Sequence, residues 1–289
     1  MSLNLGKVLT AMVTPFDADG AVDREAIARL LDHLFEHGND GVVVCGTTGE
    51  ATTLSDEEQL DVIELVIHRV RAAWPGKSVV AGVGSNDTRH AVELTRRASA
   101  LAPDALLAVN PYYNRPGPDG IRAHFAAIDA ATELPIILYN IPQRTGEDMP
   151  NALLAELATL EHVAAVKQAN AANVALVPGL ELYAGNDNLL ATVLDLGGAG
   201  GVLTASHIFG DAFRRIAYEP EQRAAVHSEL ADVYHDMGIA PAAVTLKTGL
   251  NLIGVEVGGP RLPYVPLGEE QTAVIRALLQ RHQLLEVVA

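Results

Sequence analysis

Eight short runs of apolar, mostly β-branched residues punctuate the first two thirds of this 289-residue chain, and they restrict its fold more than any other feature. They occupy residues 8–12, 41–45, 78–82, 105–109, 135–139, 163–167, 180–184 and 200–204. Most are nearly continuous in apolar residues, not alternating, which is the pattern of parallel strands buried on both faces. Amphipathic helical patterns lie between them. Ile27, Leu30, Leu31, Leu34 and Phe35 form one apolar stripe over 23–37, with Gly38 as its stop. Ser55 with Glu58 predicts a capping box ahead of a helix running to Pro75-Gly76. Asn86 or Asp87 caps a third helix, and Pro118 sits in the first turn of a fourth. Eight strands alternating with helices predict a (β/α)8 TIM barrel, not an open doubly wound sheet. Only one or two helical turns fit between Lys167 and Leu180, so the helix there is stunted or the strand at 180–184 is misplaced. The tail reads as helices over 210–218, 221–237, 242–253 and 269–285. Residues 1–218 then form the catalytic barrel, and 219–289 a C-terminal helical extension of the same domain.

Composition narrows the class. Twenty Lys and Arg face 36 Asp and Glu, a net charge of −16 that repels phosphate backbones and anionic bilayers, so neither a nucleic-acid nor a membrane partner is expected. No apolar run approaches the ~18 residues of a membrane span. A lone cysteine, Cys45, and an N-terminus without a basic-then-apolar leader point to a cytoplasmic protein. No Gly-x-Gly-x-x-Gly joins a strand to a helix, and the ten histidines are scattered, so no nicotinamide cofactor and no metal site is expected.

In such a barrel the active site is built at the C-terminal strand ends. That filter selects Gly46-Thr47-Thr48-Gly49-Glu50, Asn110-Pro111-Tyr112-Tyr113, the segment from Tyr139 to Thr145, and Lys167. Lys167 is one of only four lysines, with Lys7, Lys77 and Lys247. At the end of an apolar strand it either snorkels to the rim, pairs with a carboxylate, or serves as an amine nucleophile toward a carbonyl. An ordinary lysine is free amine to only about one part in 2,500 at neutral pH, and burial on a strand raises that fraction. Tyr139, on the preceding strand, is placed to pass protons beside it or simply to fill the core. The Gly46-Thr47-Thr48-Gly49 turn offers N–H groups and hydroxyls to a carboxylate, and Arg144 offers a bidentate fork or a surface ion pair.

Taken in order along the chain, these segments resemble the dihydrodipicolinate synthase / N-acetylneuraminate lyase family of pyruvate-dependent class I aldolases, which are lyases. The resemblance also covers Thr14-Pro15-Phe16, Gly185-Asn186-Asp187, Gly201-Val202 and Arg261-Leu262-Pro263. It implies that Lys167 is the Schiff-base lysine that binds pyruvate, with no cofactor beyond that imine, and that Tyr139, Thr47 and Tyr113 relay protons. It implies a pyruvate-carboxylate cradle at Thr48 and a strand-eight main-chain carbonyl at Leu203, and it places Gly185 beside the substrate. Tyr113 is expected to reach the neighbouring subunit's site, in a homodimer or homotetramer. Arg144 and the Gly46-Thr47-Thr48 turn resemble the synthases, which condense pyruvate with L-aspartate 4-semialdehyde in lysine and diaminopimelate biosynthesis. The alternative is a related lyase acting on a 2-keto-3-deoxy acid or N-acetylneuraminate.

Departures from the family pattern are Gln168-Ala169-Asn170 after Lys167, the short stretch from Lys167 to Gly185, Asn186, and His207. Lysine-sensitive members hold an effector with residues matching Asn86 and Tyr112. Here Asp56, Gln59 and His90 replace the usual polar pattern, and the acid expected at His90 is absent, so weak or no lysine inhibition is expected.

Overall fold

The computed structural model describes residues 3–286. Eight parallel strands pair in sequence order and close on themselves: β1 (Val8–Ala11), β2 (Gly41–Val44), β3 (Ser78–Gly82), β4 (Ala105–Val109), β5 (Ile136–Asn140), β6 (Val163–Gln168), β7 (Glu181–Ala184) and β8 (Gly200–Leu203). Every run expected to be a strand is one, within a residue at either end. Continuous burial of β1, β2, β3, β5 and β8 explains why their sequences do not alternate.

Side chains of each strand divide between two apolar layers. Leu9, Val43, Val80, Leu107, Ile137, Tyr139, Ala165, Tyr183 and Val202 fill the barrel interior. Val42, Val79, Leu106, Leu138, Val166 and Leu182 pack outward against the helices. Since strand side chains alternate faces, Lys167 falls on the inward set, between Ala165 and Ala169.

Helices α1 (Arg24–Glu36), α2 (Asp56–Ala73), α3 (Thr88–Ala100) and α4 (Gly117–Asp129) follow the first four strands. Asp23 caps α1, and the Ser55/Glu58 capping box forms in full at α2. Asp87, not Asn86, caps α3 by accepting from the Arg89 N–H. After β5 come a single turn, α5 (Pro142–Thr145), and α6 (Asn151–Leu157). The β6–β7 connection contains only a 3-10 turn at Ala171–Asn173, so the strand assignment was right and the helix is the stunted element. Pro178 and Gly179, at φ +88°, end that connection before a helix can propagate. Next come α7 (Leu190–Asp195) and α8 (Ser206–Tyr218), which begins four residues earlier than its periodicity suggested and kinks at Phe209.

The expected helix over 221–237 is two, α9 (Arg223–Glu229) and α10 (Ala231–Asp236), parted by the non-helical Leu230. Beyond them lie α11 (Ala242–Leu252) and α12 (Glu269–Arg281). No described helix is long and apolar enough to cross a membrane.

Candidate active site

Tyr139 on β5 is directly opposite Lys167 on β6 in the strand register, and Tyr183 on β7 is opposite Lys167 on the other side. All three point into the barrel, so register alone brings amine and phenol together. The Lys167 Nζ lies 4.1 Å from the centre of the Tyr139 ring. Burial draws Lys167 down from 10.5 to about 7; Asp187 opposes the shift and Arg144 adds to it. With a pKa near 7, roughly half of the side chain is free amine at neutral pH. Tyr139 is pushed up to about 12 by burial, against the pull of Arg144 and a hydrogen bond with Thr47. It therefore keeps its proton at neutral pH and can lend it.

A cavity of about 450 Å³ opens above these residues. Thr47, Tyr139, Arg144 and Thr145 line one side, and Asp56, Ser85, Asn86, His90 and Tyr112 line a second lobe. Lys167 is 4% exposed and lies against the ring of a lining residue, not in the lining itself. Arg144 is exposed at the rim, carried by the single turn of α5.

The Thr47-Thr48 turn is held in a strained geometry. Cys45 before it and Glu50 after it both adopt left-handed backbone, at φ +54°, a conformation that costs a non-glycine residue about 1–2 kcal/mol. Glu50 N–H closes the turn on Thr47 O, and the Thr14 hydroxyl donates to Gly49 O at 2.7 Å. Among the described residues no backbone carbonyl accepts from the N–H groups of Thr47 or Thr48. Thr48 is buried and Thr47 exposed toward the cavity.

The remaining candidates lie farther apart. Leu203 is buried at the end of β8, and Gly185 donates its N–H to Gln168 O at 2.8 Å. A Cβ on Gly185 would come within 2.8 Å of Ala169, so only glycine fits beside the end of β6. Neither residue lines the cavity. Tyr113 follows the lining residue Tyr112 and donates its N–H to Thr145 O at 3.3 Å, yet it is 90% exposed, at φ +74°, and does not itself line the cavity.

Three carboxylates that support the site were not singled out as site residues. Asp187 accepts from Thr204 N–H at 2.7 Å, from the Thr204 hydroxyl at 2.6 Å and from Ala205 N–H at 3.1 Å, fixing the chain after β8 while its charge favours Lys167 ammonium. Asp148 accepts from Asn140, Asn170 and Asn173, and Asn140 also donates to Gln168 Oε1 at 3.0 Å, so the residue after Lys167 is held by an amide network. Glu50 is the third. The signal for Asp187 and Glu50 was their position at the end of a strand-end motif; for Asp148 there was none beyond its proximity to Arg144.

Fold and site together define a (β/α)8-barrel enzyme with a buried amine of lowered pKa at a strand end. The chain belongs to the Dihydrodipicolinate synthetase family, whose profile matches residues 4–282. It is 42% identical over 287 residues to a 4-hydroxy-tetrahydrodipicolinate synthase of Synechococcus sp. (strain CC9311), spanning 95% of this chain and 94% of the relative. It is 38% identical over 289 residues to one from Oceanobacillus iheyensis, spanning 96% and 97%. Among solved structures, the lysine-bound enzyme of Cyanidioschyzon merolae aligns with a TM-score of 0.93 at 36% identity, covering 98% of this chain and 99% of that one.

Proposed function

We propose that the protein is a lyase that condenses pyruvate with L-aspartate 4-semialdehyde to 4-hydroxy-tetrahydrodipicolinate, the reaction its relatives' name describes. The observation that carries this reading is the Lys167 amine, drawn to about 7 by burial and set against the Tyr139 ring.

The free amine of Lys167 attacks the keto carbon of pyruvate. Tyr139, which holds its proton at neutral pH, protonates the carbinolamine hydroxyl so that water leaves. The resulting protonated imine makes the methyl group acidic. One methyl proton passes by way of Thr47 to the Tyr139 oxygen, giving an enamine whose methylene carbon attacks the semialdehyde carbonyl; Tyr139 returns that proton to the new alkoxide. The amino group of the second substrate then closes the ring on the imine carbon and expels the Lys167 amine, so that one water is released overall. Lys167 is the only covalent carrier that these steps require. The Thr47-Thr48 turn, with Thr48 buried behind it, holds the pyruvate carboxylate by its N–H groups and hydroxyls. Arg144 at the rim takes the carboxylate of the second substrate in a bidentate fork. Gly185 lets the chain after β7 pass close to the end of β6, and Leu203, whose side chain packs outward, offers its main-chain carbonyl at the end of β8.

Tyr113 completes the relay of a neighbouring subunit in a homodimer or homotetramer. Its exposure and its absence from the lining of its own cavity support that assignment. The second lobe is the place where an effector such as lysine, bound in the Cyanidioschyzon merolae structure, would lie.

Borohydride added with pyruvate should leave a reduced adduct of one pyruvate on the wild-type chain, visible as an intact-mass gain that disappears in Lys167→Ala. No adduct on the wild type, or one that persists in the variant, would overturn the reading. Product identity by mass spectrometry, with pyruvate and a panel of aldehydes, separates the synthase from a lyase of longer keto acids.

A further inference from the structure

The least expected charges in the molecule are the two best buried. Glu50 and Lys247 are 0% and 1% exposed at their side chains, with Glu50 Oε1 2.7 Å from Lys247 Nζ. The contact is short enough for a charge-assisted hydrogen bond between the two. Lys247, on α11, also donates to Gly259 O at 2.9 Å and sits 4.0 Å over the Phe16 ring. The other Glu50 oxygen accepts from Arg261 N–H at 2.9 Å. Arg261 covers the same Phe16 ring at 4.2 Å and forks onto Glu58 at the start of α2. Its side chain also donates to Thr53 O and Gly20 O.

Stability does not explain this arrangement well. A buried ion pair repays its desolvation poorly, and apolar residues of the same volume often do as well or better. What the pair does have is an address. Glu50 is the last residue of the strained turn that begins at Thr47, and its left-handed backbone is the point where the turn is set. The opposite partners, Lys247 and Arg261, both come from the C-terminal extension.

We propose that Glu50 and Lys247 form a buried strut through which the C-terminal extension fixes the Thr47-Thr48 turn, making both of them positioning residues for the pyruvate carboxylate. This rests on the reading of that turn as the carboxylate cradle. The extension is then part of the active-site apparatus through this strut as well as through Tyr264, between α11 and α12, which lines the cavity directly. Neither residue touches substrate. Each acts on the N–H groups of the turn by holding its far end in register.

The test separates positioning from folding. Losing one partner strands a buried charge, whereas Glu50→Gln combined with Lys247→Met removes both charges together and should restore thermal stability. In the folded double variant the KM for pyruvate should still rise by about tenfold or more while the KM for aspartate semialdehyde holds, because small displacements of a positioning group are costly to binding. Cyanoborohydride trapping adds a second readout: the pyruvate concentration needed for half-trapping should rise, while trapping of acetaldehyde, which has no carboxylate, stays at the wild-type rate. Should the double variant not fold, Glu50→Asp, which keeps both charges and shortens the arm by one methylene, is read the same way. A wild-type KM for pyruvate in either folded variant overturns the strut, as does a parallel loss of acetaldehyde trapping. Failure of the wild-type chain to trap pyruvate at all would instead overturn the function itself.

Discussion

Lys167 occupies a site that favours its neutral form, and this has a consequence for stability as well as reactivity. An unfolded chain keeps that proton up to about 10.5, while the folded site releases it near 7. Between those values the unfolded state binds more protons, so stability contributed by this residue rises with pH, and the penalty is full below 7. Lys167→Met removes the penalty. The variant should be more resistant to urea than the wild type at pH 7, by on the order of a few kcal/mol, and the gap should close as pH approaches 10. A gap that does not change with pH would show that the ammonium is not penalised in the fold. The same titration should set the rate of pyruvate trapping, with a midpoint near 7. Arg144 acts on this amine from the rim, its charge lowering both Lys167 and Tyr139. Arg144→Ala should cut turnover of aspartate semialdehyde by about 100-fold or more while pyruvate trapping stays largely intact, since a fork for the second carboxylate is lost and the imine chemistry is not. Equal loss of both activities would make Arg144 a structural residue.

At the scale of elements, the second lobe of the cavity lies between the starts of α2 and α3. Asp56 opens α2 and His90 stands in the first turn of α3. The His90 Nε2 meets Asp56 Oδ1 at 2.9 Å, the Ser85 hydroxyl meets His90 Nδ1 at 3.0 Å, and Arg97 stands 3.9 Å from the other Asp56 oxygen. A carboxylate, that of Asp56, is thus present in the lobe, but it is already engaged by His90 and Arg97. A lysine ammonium would have to displace them, so millimolar lysine should leave the steady-state rate nearly unchanged; strong suppression would overturn this. The contrast shows what sequence can reveal at this scale. Parallel strands buried on both faces are visible as apolar runs, and a cap is visible because Ser55 and Glu58 are three residues apart. Lys167 and Tyr139 were legible for the same reason, each sitting at the end of such a run. The Asp56–His90 contact and the Glu50–Lys247 strut are not, because their partners meet only after the chain has folded. Nor is the break at Leu230, where no glycine or proline interrupts the apolar period of 221–237.

For the whole molecule, the proposed substrates carry the same sign of charge as the chain itself. On the proposed reading, a chain at −16 binds two carboxylates because Lys167, Arg144 and a turn of backbone N–H groups set the field locally. Tyr113 is the residue that does not fit a single chain: a large aromatic, 90% exposed and in left-handed backbone, on the loop after β4. If it serves the neighbour's site, two dead variants should repair each other. Lys167→Ala lacks the amine but presents an intact Tyr113; Tyr113→Phe keeps the amine but lacks the hydroxyl. In a hybrid dimer of the two, one site receives both working groups and the other receives neither. Dissociating and reassociating an equal mixture should therefore recover about one quarter of wild-type activity, half of the dimers being hybrid with one good site each. If Tyr113 serves its own subunit, or no site at all, every amine-bearing site in the mixture still behaves as in Tyr113→Phe, and mixing recovers nothing beyond the average of the two variants.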